Sequence, residues 1–260
     1  DKEKEWKNPK HRQQWRNTLQ SYVYPFIGKL GVDEIELPHV LACLEPIWHS
    51  KTETAVRVRG RIETVLDWAQ VRKYRKKENV ARWKGHLDKV LATPSKIQKV
   101  EHHKSIPYGE IADFVSKLKL RQGMAAKALT LLILTCTRSG EVRGAEWSEV
   151  DLDKGIWTIP AERMKAGKEH RIALSSAALE LLRALPRVEG SNLLFPGTKG
   201  QPLSDMTLLA VMRRMDVAAV PHGFRSTFRD WVGDCTSYPS DLAEAALAHT
   251  LESKVEAAYR

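Results

Sequence analysis

No apolar run in this sequence is long enough to cross a membrane, and the sequence shows no signal-peptide pattern. Cysteine is scarce, because the chain has only Cys43, Cys136 and Cys235, which are far apart and show no paired spacing. Neither a disulfide framework nor a zinc site is therefore indicated, and a reducing cytoplasm is the expected compartment. A Walker-type glycine-rich loop and a His-Glu-x-x-His zinc motif are also absent, which agrees with a reaction that uses no ATP, metal or other cofactor.

Length and net charge narrow the classes of protein further. With 260 residues, the chain is long enough for one large domain or two ordinary ones. Its formal net charge of +10 favours a polyanionic partner, either nucleic acid or an anionic membrane surface, although a basic balance also serves simple solubility. The first residue is Asp1 rather than Met, so we expect the chain to be a piece of a longer protein.

Positive charge is concentrated between Val71 and Lys104, where eleven Lys and Arg stand against three acidic residues. Residues 93–107, which overlap the end of this stretch, combine a Thr-Pro-Ser segment, several lysines, a His pair and a second proline. That composition is typical of an exposed connection between domains. We therefore expect a first domain at residues 1–92, a basic linker at 93–107 and a second domain at 108–260.

The first domain reads as helical. From Thr54 to Ala69, apolar residues recur at helical spacing and leave Arg57 and Arg61 largely toward solvent or a ligand. Three further helices are expected at Trp6–Tyr24, Leu37–Trp48 and Asn79–Leu91.

The second domain reads as mainly helical with one small sheet. Segments 147–160 and 170–174 alternate apolar with polar residues around the turns 153–155 and 166–168, which predicts a small antiparallel sheet. Expected helices are Tyr108–Leu120, Ala125–Thr135, Ser175–Leu185, Ser204–Met215, His222–Val232, Ser240–Leu247 and a short one near Lys254.

Several residues with phosphate-binding or nucleophilic chemistry lie in the second domain. His222 and Arg225 are three apart, so on a helix they project from one face and can approach the same oxygen atoms. Arg138 follows an apolar helix and could cap its carbonyls, pair with Glu141 or reach into a cleft. Each feature alone is of low specificity, and only their joint occurrence in this order favours an active site.

The order and context of these residues resemble the tyrosine recombinases, specifically the phage-type integrases. The first family box, Thr-x-x-Arg-x-x-Glu, is matched around Arg138, and the second, His-x-x-Arg, is matched by His222 and Arg225. A Leu-x-His segment follows with His249, and a tyrosine comes about ten residues later as Tyr259. Segments 6–11, 24–28, 102–103 and 106–108 also look like prophage integrases of the P4-like branch.

The resemblance implies a fold and a reaction. The expected fold is mainly α, with a helical core-binding (SAM-like) N-terminal domain and a mixed catalytic domain that carries a small antiparallel sheet, of the DNA breaking-rejoining enzyme type. The expected reaction cleaves and rejoins DNA strands through a covalent 3′-phosphotyrosine, with neither metal nor ATP. It would integrate or excise a mobile element.

The resemblance also implies roles for individual residues. Arg138 and Arg225 would stabilise charge on the phosphate oxygens, and Tyr259, whose ordinary pKa is about 10, would be the nucleophile. His222 is the candidate base, and His249 would donate a hydrogen bond to a phosphate oxygen. Protonation of the 5′-hydroxyl leaving group would fall to a lysine in the hairpin turn, Lys165, with Lys168 as the alternative.

DNA is the expected partner. The two domains would clamp double-stranded attachment sites, and the expected backbone contacts in the first domain are Arg57, Arg61, Arg72, Lys73, Arg75, Lys76 and Lys77. A homotetramer on paired sites, with accessory DNA-bending proteins, is implied by the resemblance, as is a cytoplasmic protein associated with the nucleoid when bound to DNA. The resemblance also implies an N-terminal arm-binding domain and a C-terminal extension, which we expect to lie outside this piece of the protein.

Two other functions remain open at this level. A type IB topoisomerase uses similar catalytic groups but relaxes supercoils without a partner duplex. A degenerate integrase that binds DNA without catalysis is the alternative from another class, and the intact set of boxes argues against it.

Overall fold

The computed structural model describes residues 9–98 and 103–249. The chain divides into two compact units, residues 1–101 and 102–260, so the division falls inside the predicted linker at 93–107. Within the described residues, no helix is both long and apolar enough to span a membrane. The predicted class is confirmed: the described residues are mainly helical and contain one small antiparallel sheet.

The described part of the first unit is entirely helical apart from turns. The helices predicted at Leu37–Trp48 and Thr54–Ala69 are confirmed. The helix predicted at Trp6–Tyr24 is present from Pro9 to Tyr22 within the described residues, and a separate short helix begins at Tyr24. The bounds are α1 (Pro9–Tyr22), α2 (Tyr24–Ile27), α3 (Leu37–Trp48), α4 (Thr52–Val71), a 3-10 turn (Leu87–Lys89) and α5 (Pro94–Ile97).

The predicted helix at Asn79–Leu91 was wrong, because this segment forms turns and only the 3-10 turn is helical. The side chain of Asn79 donates to the carbonyl of Glu63 at 2.9 Å and accepts the N–H of Ala81 at 3.0 Å. Side-chain bonds of this kind compete with a helical hydrogen-bond ladder. Gly85 adds a backbone φ of +77°, which a helix does not contain.

Two arginines of the first unit are buried, although the sequence placed them among DNA contacts. Arg61 is 8% exposed, donates to the carbonyl of Gln14 at 2.7 Å and lies over the ring of Trp15 at 5.3 Å. Its long side chain therefore joins α4 to α1. This position gives Arg61 a role in packing and takes most of it out of reach of a duplex.

Arg75 is buried more completely, with 2% of its surface exposed. Its Nη1 donates to the carbonyls of Val32 (2.6 Å) and Ile35 (2.8 Å), while Nε and Nη2 both donate to the carbonyl of Glu78 (3.1 and 2.7 Å). These three backbone carbonyls satisfy the donors of the buried guanidinium and join the turn at residues 32–35 to Glu78. Arg75 is a structural residue here and is not available to a phosphate.

The second unit is built around the apolar helix α7. The predicted helices within the described residues are present, with ends that differ by a few residues, and the one near Lys254 lies outside them. The bounds are a 3-10 turn (Tyr108–Glu110), α6 (Ile111–Lys119), α7 (Met124–Thr135), α8 (Ser139–Arg143), 3-10 turns (Trp147–Glu149, Ala161–Arg163), α9 (Ser176–Arg183), α10 (Thr207–Arg214), α11 (Gly223–Cys235) and α12 (Ser240–Ala246).

The predicted sheet is also confirmed. Its strands are β1 (Val150–Asp151), β2 (Ile156–Ile159) and β3 (His170–Ala173), paired antiparallel in the order β1-β2-β3. Trp157 pairs with Ile172, and both side chains enter the core of the second unit. The two connecting turns contain glycines with φ of +66°, as the Gly-containing turns in the sequence required.

The start of α11 is fixed by the chain segment just before residue 108. The carbonyl of Lys104 accepts the N–H of Val220 at 3.1 Å, and the carbonyl of Ile106 accepts Thr227 Oγ1 at 2.6 Å. The described part of the predicted linker is therefore not a free connection, because α5 packs onto the first core through Ile97 and residues 103–107 belong to the second unit.

We predict that Arg75→Met destabilises the first unit by about 3 kcal/mol or more, because it leaves three backbone carbonyls without donors. Denaturant unfolding followed by circular dichroism measures the effect. The matched control is Lys76→Met, an exposed neighbour at which a change within about 0.5 kcal/mol is expected. Equal stabilities of the two variants would contradict the structural role of Arg75.

We predict that Gly223→Ala destabilises the second unit by about 1–3 kcal/mol, because a Cβ there would overlap the backbone of Lys104 and Ser105. Gly233→Ala, in the same helix, is the matched control, since a Cβ at that position meets no atom within 4 Å. The control should be neutral or stabilise by about 0.5–1 kcal/mol. Thermal unfolding of both variants measures the difference, and a Gly223→Ala protein as stable as the control would refute the close approach.

Candidate functional site

The first arginine of the site is placed by the sharp turn that ends α7. Cys136 adopts the left-handed conformation with φ of +50°, and the hydroxyls of Thr135 and Thr137 lie 2.9 Å apart in the interior. The chain then reverses into α8, and Arg138 lies at the helix N-terminus. The side chain of Glu141 accepts the backbone N–H of Arg138 at 2.8 Å, which caps the helix.

The guanidinium of Arg138 is oriented from two sides. Nη1 donates to the carboxylate of Glu141 at 3.0 Å, and Nη2 donates to the carbonyl of Ala248 at 3.3 Å. Glu141 itself is 4% exposed, and Arg163 donates to its backbone carbonyl as well as to the carboxylate of Glu149. The charge of Arg138 is therefore held by a braced, buried carboxylate and remains partly exposed.

The second arginine, Arg225, projects from the first turn of α11 and is 4% exposed. Its Nη1 donates to the carbonyl of Cys136 at 2.6 Å, and its Nη2 donates to the carbonyl of Leu247 at 2.6 Å. Nη2 also lies 2.8 Å from Nε2 of His249. Among the described residues, the buried Nε of Arg225 has no hydrogen-bond acceptor.

The two arginines therefore meet at one place in the second unit. Arg138 contacts the carbonyl of Ala248, and Arg225 contacts the preceding carbonyl and the following imidazole. Burial lowers the pKa of Arg225, and the nearby charge of Arg138 lowers it further. Two guanidiniums this close repel each other, which is an arrangement that an anion would stabilise.

His222 lies beside the arginines at the start of α11. Its ring meets the ring of His103 edge to face, with centroids 4.8 Å apart. Partial burial lowers the pKa of His222, and so do the charges of His103, Arg225, Arg138 and His249, in that order. The lowered pKa keeps the imidazole neutral at neutral pH, the form in which it can accept a proton.

His249 follows α12 and is bonded on both ring nitrogens. Nε2 lies next to Arg225, and Nδ1 lies 2.5 Å from Oε2 of Glu244. Because a guanidinium can only donate, Nε2 accepts in this structure. The sequence-based expectation that His249 donates to a phosphate oxygen is therefore not realised in the protein alone and stays a prediction for the DNA complex.

The other predicted site residues do not join this cluster in the described part of the chain. Lys165 and Lys168 are both exposed in the turn between β2 and β3, and no hydrogen bond or ion pair of the described chain joins either to the arginines. Tyr259 lies outside the described residues. In the ranges 9–98 and 103–249, no three His, Cys, Asp or Glu side chains are grouped closely enough to hold a metal ion.

Four residues at the site were not singled out from the sequence. His103 contacts His222, Arg163 braces Glu141, Glu244 contacts His249, and burial lowers the pKa of His170, whose ring interacts with the backbone of Ala246. Only the His pair at 102–103 gave a signal, through its likeness to prophage integrases. The others depend on contacts between elements distant in sequence or on the turn after α12.

Five of the predicted DNA contacts are on the surface of the first unit. Arg57 pairs with Glu53 at 3.0 Å, and Lys77 pairs with Glu36 at 2.9 Å, in both cases with largely exposed side chains. Exposed ion pairs of this kind contribute little to stability, so these cations can exchange partners readily. The exposed residues of the predicted set are Arg57, Arg72, Lys73, Lys76 and Lys77.

We predict that His222 titrates below 6.5 and that His103→Gln raises its pKa, because the substitution removes a neighbouring positive charge and part of the covering surface. Histidine ¹⁵N NMR over a pH series measures both values, with His222→Asn for assignment. His39→Gln in the first unit is the control and should leave the value unchanged. A His222 pKa at or above 6.5 in the unmodified protein would contradict the described surroundings.

Comparisons with known proteins agree with this fold. Residues 1–86 match the family described as "Phage integrase central domain", and residues 108–260 match the "Phage integrase family". Among curated proteins, the chain is 29% identical to the integrase of Enterobacteria phage P4, over 96% of this chain and 60% of that protein. It is 32% identical to prophage integrase IntZ of Escherichia coli (strain K12), over 92% of this chain and 59% of that protein.

Solved structures are similar in fold. A lambda integrase dimer bound to a COC' core site has a TM-score of 0.73 at 14% identity, covering 96% of this chain and 91% of that one. A lambda integrase tetramer bound to a Holliday junction has a TM-score of 0.72 at 16% identity, covering 96% and 74%. The chain spans about 60% of the length of the curated relatives it matches. Because the phage integrase family match covers most of the chain, including the whole second unit from residue 108 on, the chain belongs to that family.

Proposed function

We propose that this chain is the core of a site-specific DNA recombinase that integrates or excises a mobile element. It would cleave and rejoin strands through a covalent 3′-phosphotyrosine. The observation that supports this most directly is the meeting of Arg138 and Arg225 at residues 247–249, beside His222. The names of the relatives, integrases of phages and prophages, support the same reaction.

The two arginines are proposed to hold the scissile phosphate. An in-line attack on a phosphodiester accumulates negative charge on the nonbridging oxygens, and planar guanidiniums stabilise it with paired N–H donors. The buried Nε of Arg225, which has no acceptor among the described residues, supports a site that is completed by an anion. Loss of one such donor costs about 10²–10³ in rate in comparable sites.

The nucleophile and its base are the second part of the proposal. Tyr259 is the proposed nucleophile because it follows the Leu-x-His box at the family's spacing. His222 is the proposed base, and its lowered pKa supports this role because the neutral ring is the one that accepts a phenolic proton. The product would be a 3′-phosphotyrosine and a free 5′-hydroxyl.

The leaving 5′-oxygen needs a proton, and Lys165 is the proposed donor. Its exposed position in the β2–β3 turn supports a side chain that reaches bound DNA, since a hairpin turn is a projecting element. Lys168, which is exposed in the same turn, is the alternative. The ammonium would give its proton to the alkoxide as the P–O bond breaks, and the reverse step would return it.

Duplex DNA attachment sites are the proposed partner, bound as a homotetramer on two sites. The exposed cations of the first unit are the proposed backbone contacts: Arg57, Arg72, Lys73, Lys76 and Lys77. A solved lambda integrase tetramer bound to a Holliday junction supports the stoichiometry. Accessory DNA-bending proteins and association with the nucleoid belong to the same proposal.

The test is a covalent trapping assay. Nicked duplexes that tile the chromosomal DNA on both sides of the gene release a short 5′-hydroxyl fragment after cleavage, so a phosphotyrosine adduct accumulates and migrates slowly in a denaturing gel. Strand transfer between two duplexes supports a recombinase. Relaxation of supercoiled plasmid without site preference would instead indicate a topoisomerase.

We predict that Tyr259→Phe abolishes the adduct while the affinity for the trapped duplex, measured by gel shift, is nearly unchanged, because only the nucleophilic oxygen is lost. Tyr238→Phe, an exposed tyrosine of the same unit, is the matched control and should form adducts normally. Adducts that persist in Tyr259→Phe would reject Tyr259 as the nucleophile.

A further inference from the structure

His249 is held by Glu244 as well as by Arg225. The carboxylate Oε2 of Glu244 lies 2.5 Å from Nδ1 of His249, and the backbone carbonyl of Glu244 accepts the N–H of His249 at 2.9 Å. The second bond is possible because Ala248 adopts φ of +48° and turns the chain back toward α12. One residue therefore fixes both the backbone and the ring of His249.

The hydrogen bonds on the two sides of the ring have only one possible direction. Arg225 carries donors only, so its Nη2 donates to Nε2 of His249 across 2.8 Å. The ring proton must then be on Nδ1, where it is donated to the carboxylate, which can only accept. The series from Arg225 through His249 to Glu244 thus sets the tautomer of the imidazole.

The surroundings of this pair are rich in charge. Glu244 is 19% exposed, and its other oxygen lies 3.1 Å from Nε of Arg229 on α11. Arg138 reaches the adjacent carbonyl of Ala248, and His170 on β3 interacts with the backbone of Ala246. Asp241 is the other acidic residue of α12. Glu244 is therefore the carboxylate directly on His249, next to several cationic groups.

We propose that Glu244 is a positioning residue of the DNA-cleavage site. It holds the Nδ1–H form of His249 with Nε2 directed to the phosphate-binding arginine. When DNA binds, Arg225 Nη2 would turn from Nε2 to a phosphate oxygen, His249 would take up a solvent proton on Nε2, and that N–H would donate to the phosphate. The carboxylate would stabilise the resulting imidazolium, as the acidic residue of a catalytic triad does for its histidine. This inference rests on the proposed function.

A purely structural ion pair with Arg229 is the competing explanation. Two substitutions at Glu244 and one at Arg229 distinguish the positioning role from a purely structural one. Glu244→Gln keeps an oxygen that accepts from Nδ1 but removes the charge, while Glu244→Leu removes both. Arg229→Gln removes the alternative ion pair and leaves the contact with His249 intact.

The first measurement is long-range ¹H–¹⁵N NMR of histidine-labelled protein without DNA, with His249→Asn for assignment. We expect the Nδ1–H signature for His249 in the unmodified protein, in Glu244→Gln and in Arg229→Gln. In Glu244→Leu the Nδ1 proton loses its acceptor while Arg225 still donates to Nε2, so the ¹H resonance of Nδ1–H should move upfield and its exchange with water should become faster. An Nδ1–H signal with unchanged shift and exchange in Glu244→Leu would overturn the proposal.

The second measurement is the single-turnover cleavage rate on the nicked duplex. We expect a loss of about 10- to 100-fold for Glu244→Leu, a smaller loss for Glu244→Gln, and a rate near that of the unmodified protein for Arg229→Gln. DNA affinity and the unfolding midpoint should change little. A Glu244→Leu protein that cleaves at the unmodified rate would overturn the proposal, as would an equal loss in Arg229→Gln.

The two measurements separate this inference from the proposed function. The NMR signature is read without DNA, so it reports on the Glu244 contact even if no adduct forms with any duplex. If the unmodified protein forms no adduct, the recombinase proposal fails while the tautomer result stands. If adducts form and Glu244→Leu changes neither readout, only the positioning role is lost.

Discussion

The buried guanidinium of Arg225 is the interaction on which the arrangement of the second unit depends. It joins the carbonyl at the end of α7 to the carbonyl and imidazole after α12, through contacts of 2.6–2.8 Å. A buried cation is costly unless its donors are satisfied, so these three segments are held in one relative position by a strong energetic requirement. The same requirement keeps the charge of Arg225 in the place where the proposed phosphodiester would bind.

Arg138 is supported in a different way, through an acidic residue rather than through carbonyls alone. Glu141 is buried, caps α8 and accepts from the guanidinium, while Arg163 braces its backbone. The family box that begins at Thr135 therefore encodes a turn, a helix cap and an ion pair in seven residues. Its threonines hold the turn through buried hydroxyls, and its glutamate orients the arginine.

Much of this fold could be read from periodicity, as the agreement at Leu37–Trp48 illustrates, because an apolar stripe must find a core. The conformation of Asn79–Leu91 could not be predicted from periodicity, because it is set by side-chain hydrogen bonds to α4 that no local sequence pattern reveals. The burial of Arg75 was hidden for a related reason: its carbonyl partners lie some forty residues earlier as well as nearby. A run of basic residues in a sequence does not show which side chains are available to phosphate and which are buried and hydrogen-bonded inside the protein.

The site could be anticipated from the order of its boxes but not from spacing. Arg138 and Arg225 are far apart in sequence, and only the likeness to a family suggested that they meet. Nothing in the sequence indicated the contact of Glu244 with His249, because residues five apart do not share a helix face. It arises from the left-handed turn at Ala248, which is a local choice of backbone that the sequence did not indicate.

The bond between Arg225 and His249 has a consequence for the selection of ligands by the proposed enzyme. Both Nη groups of Arg225 already have acceptors in the protein, and only Nε lacks one. A nucleotide or inorganic phosphate would therefore have to displace internal hydrogen bonds to gain more than the contact with Nε. A phosphate within a long duplex is different, because contacts along the rest of the DNA hold it at high effective concentration. A phosphodiester that is held in place by the rest of the DNA would thus displace the internal hydrogen bonds of Arg225, and a freely diffusing anion would not.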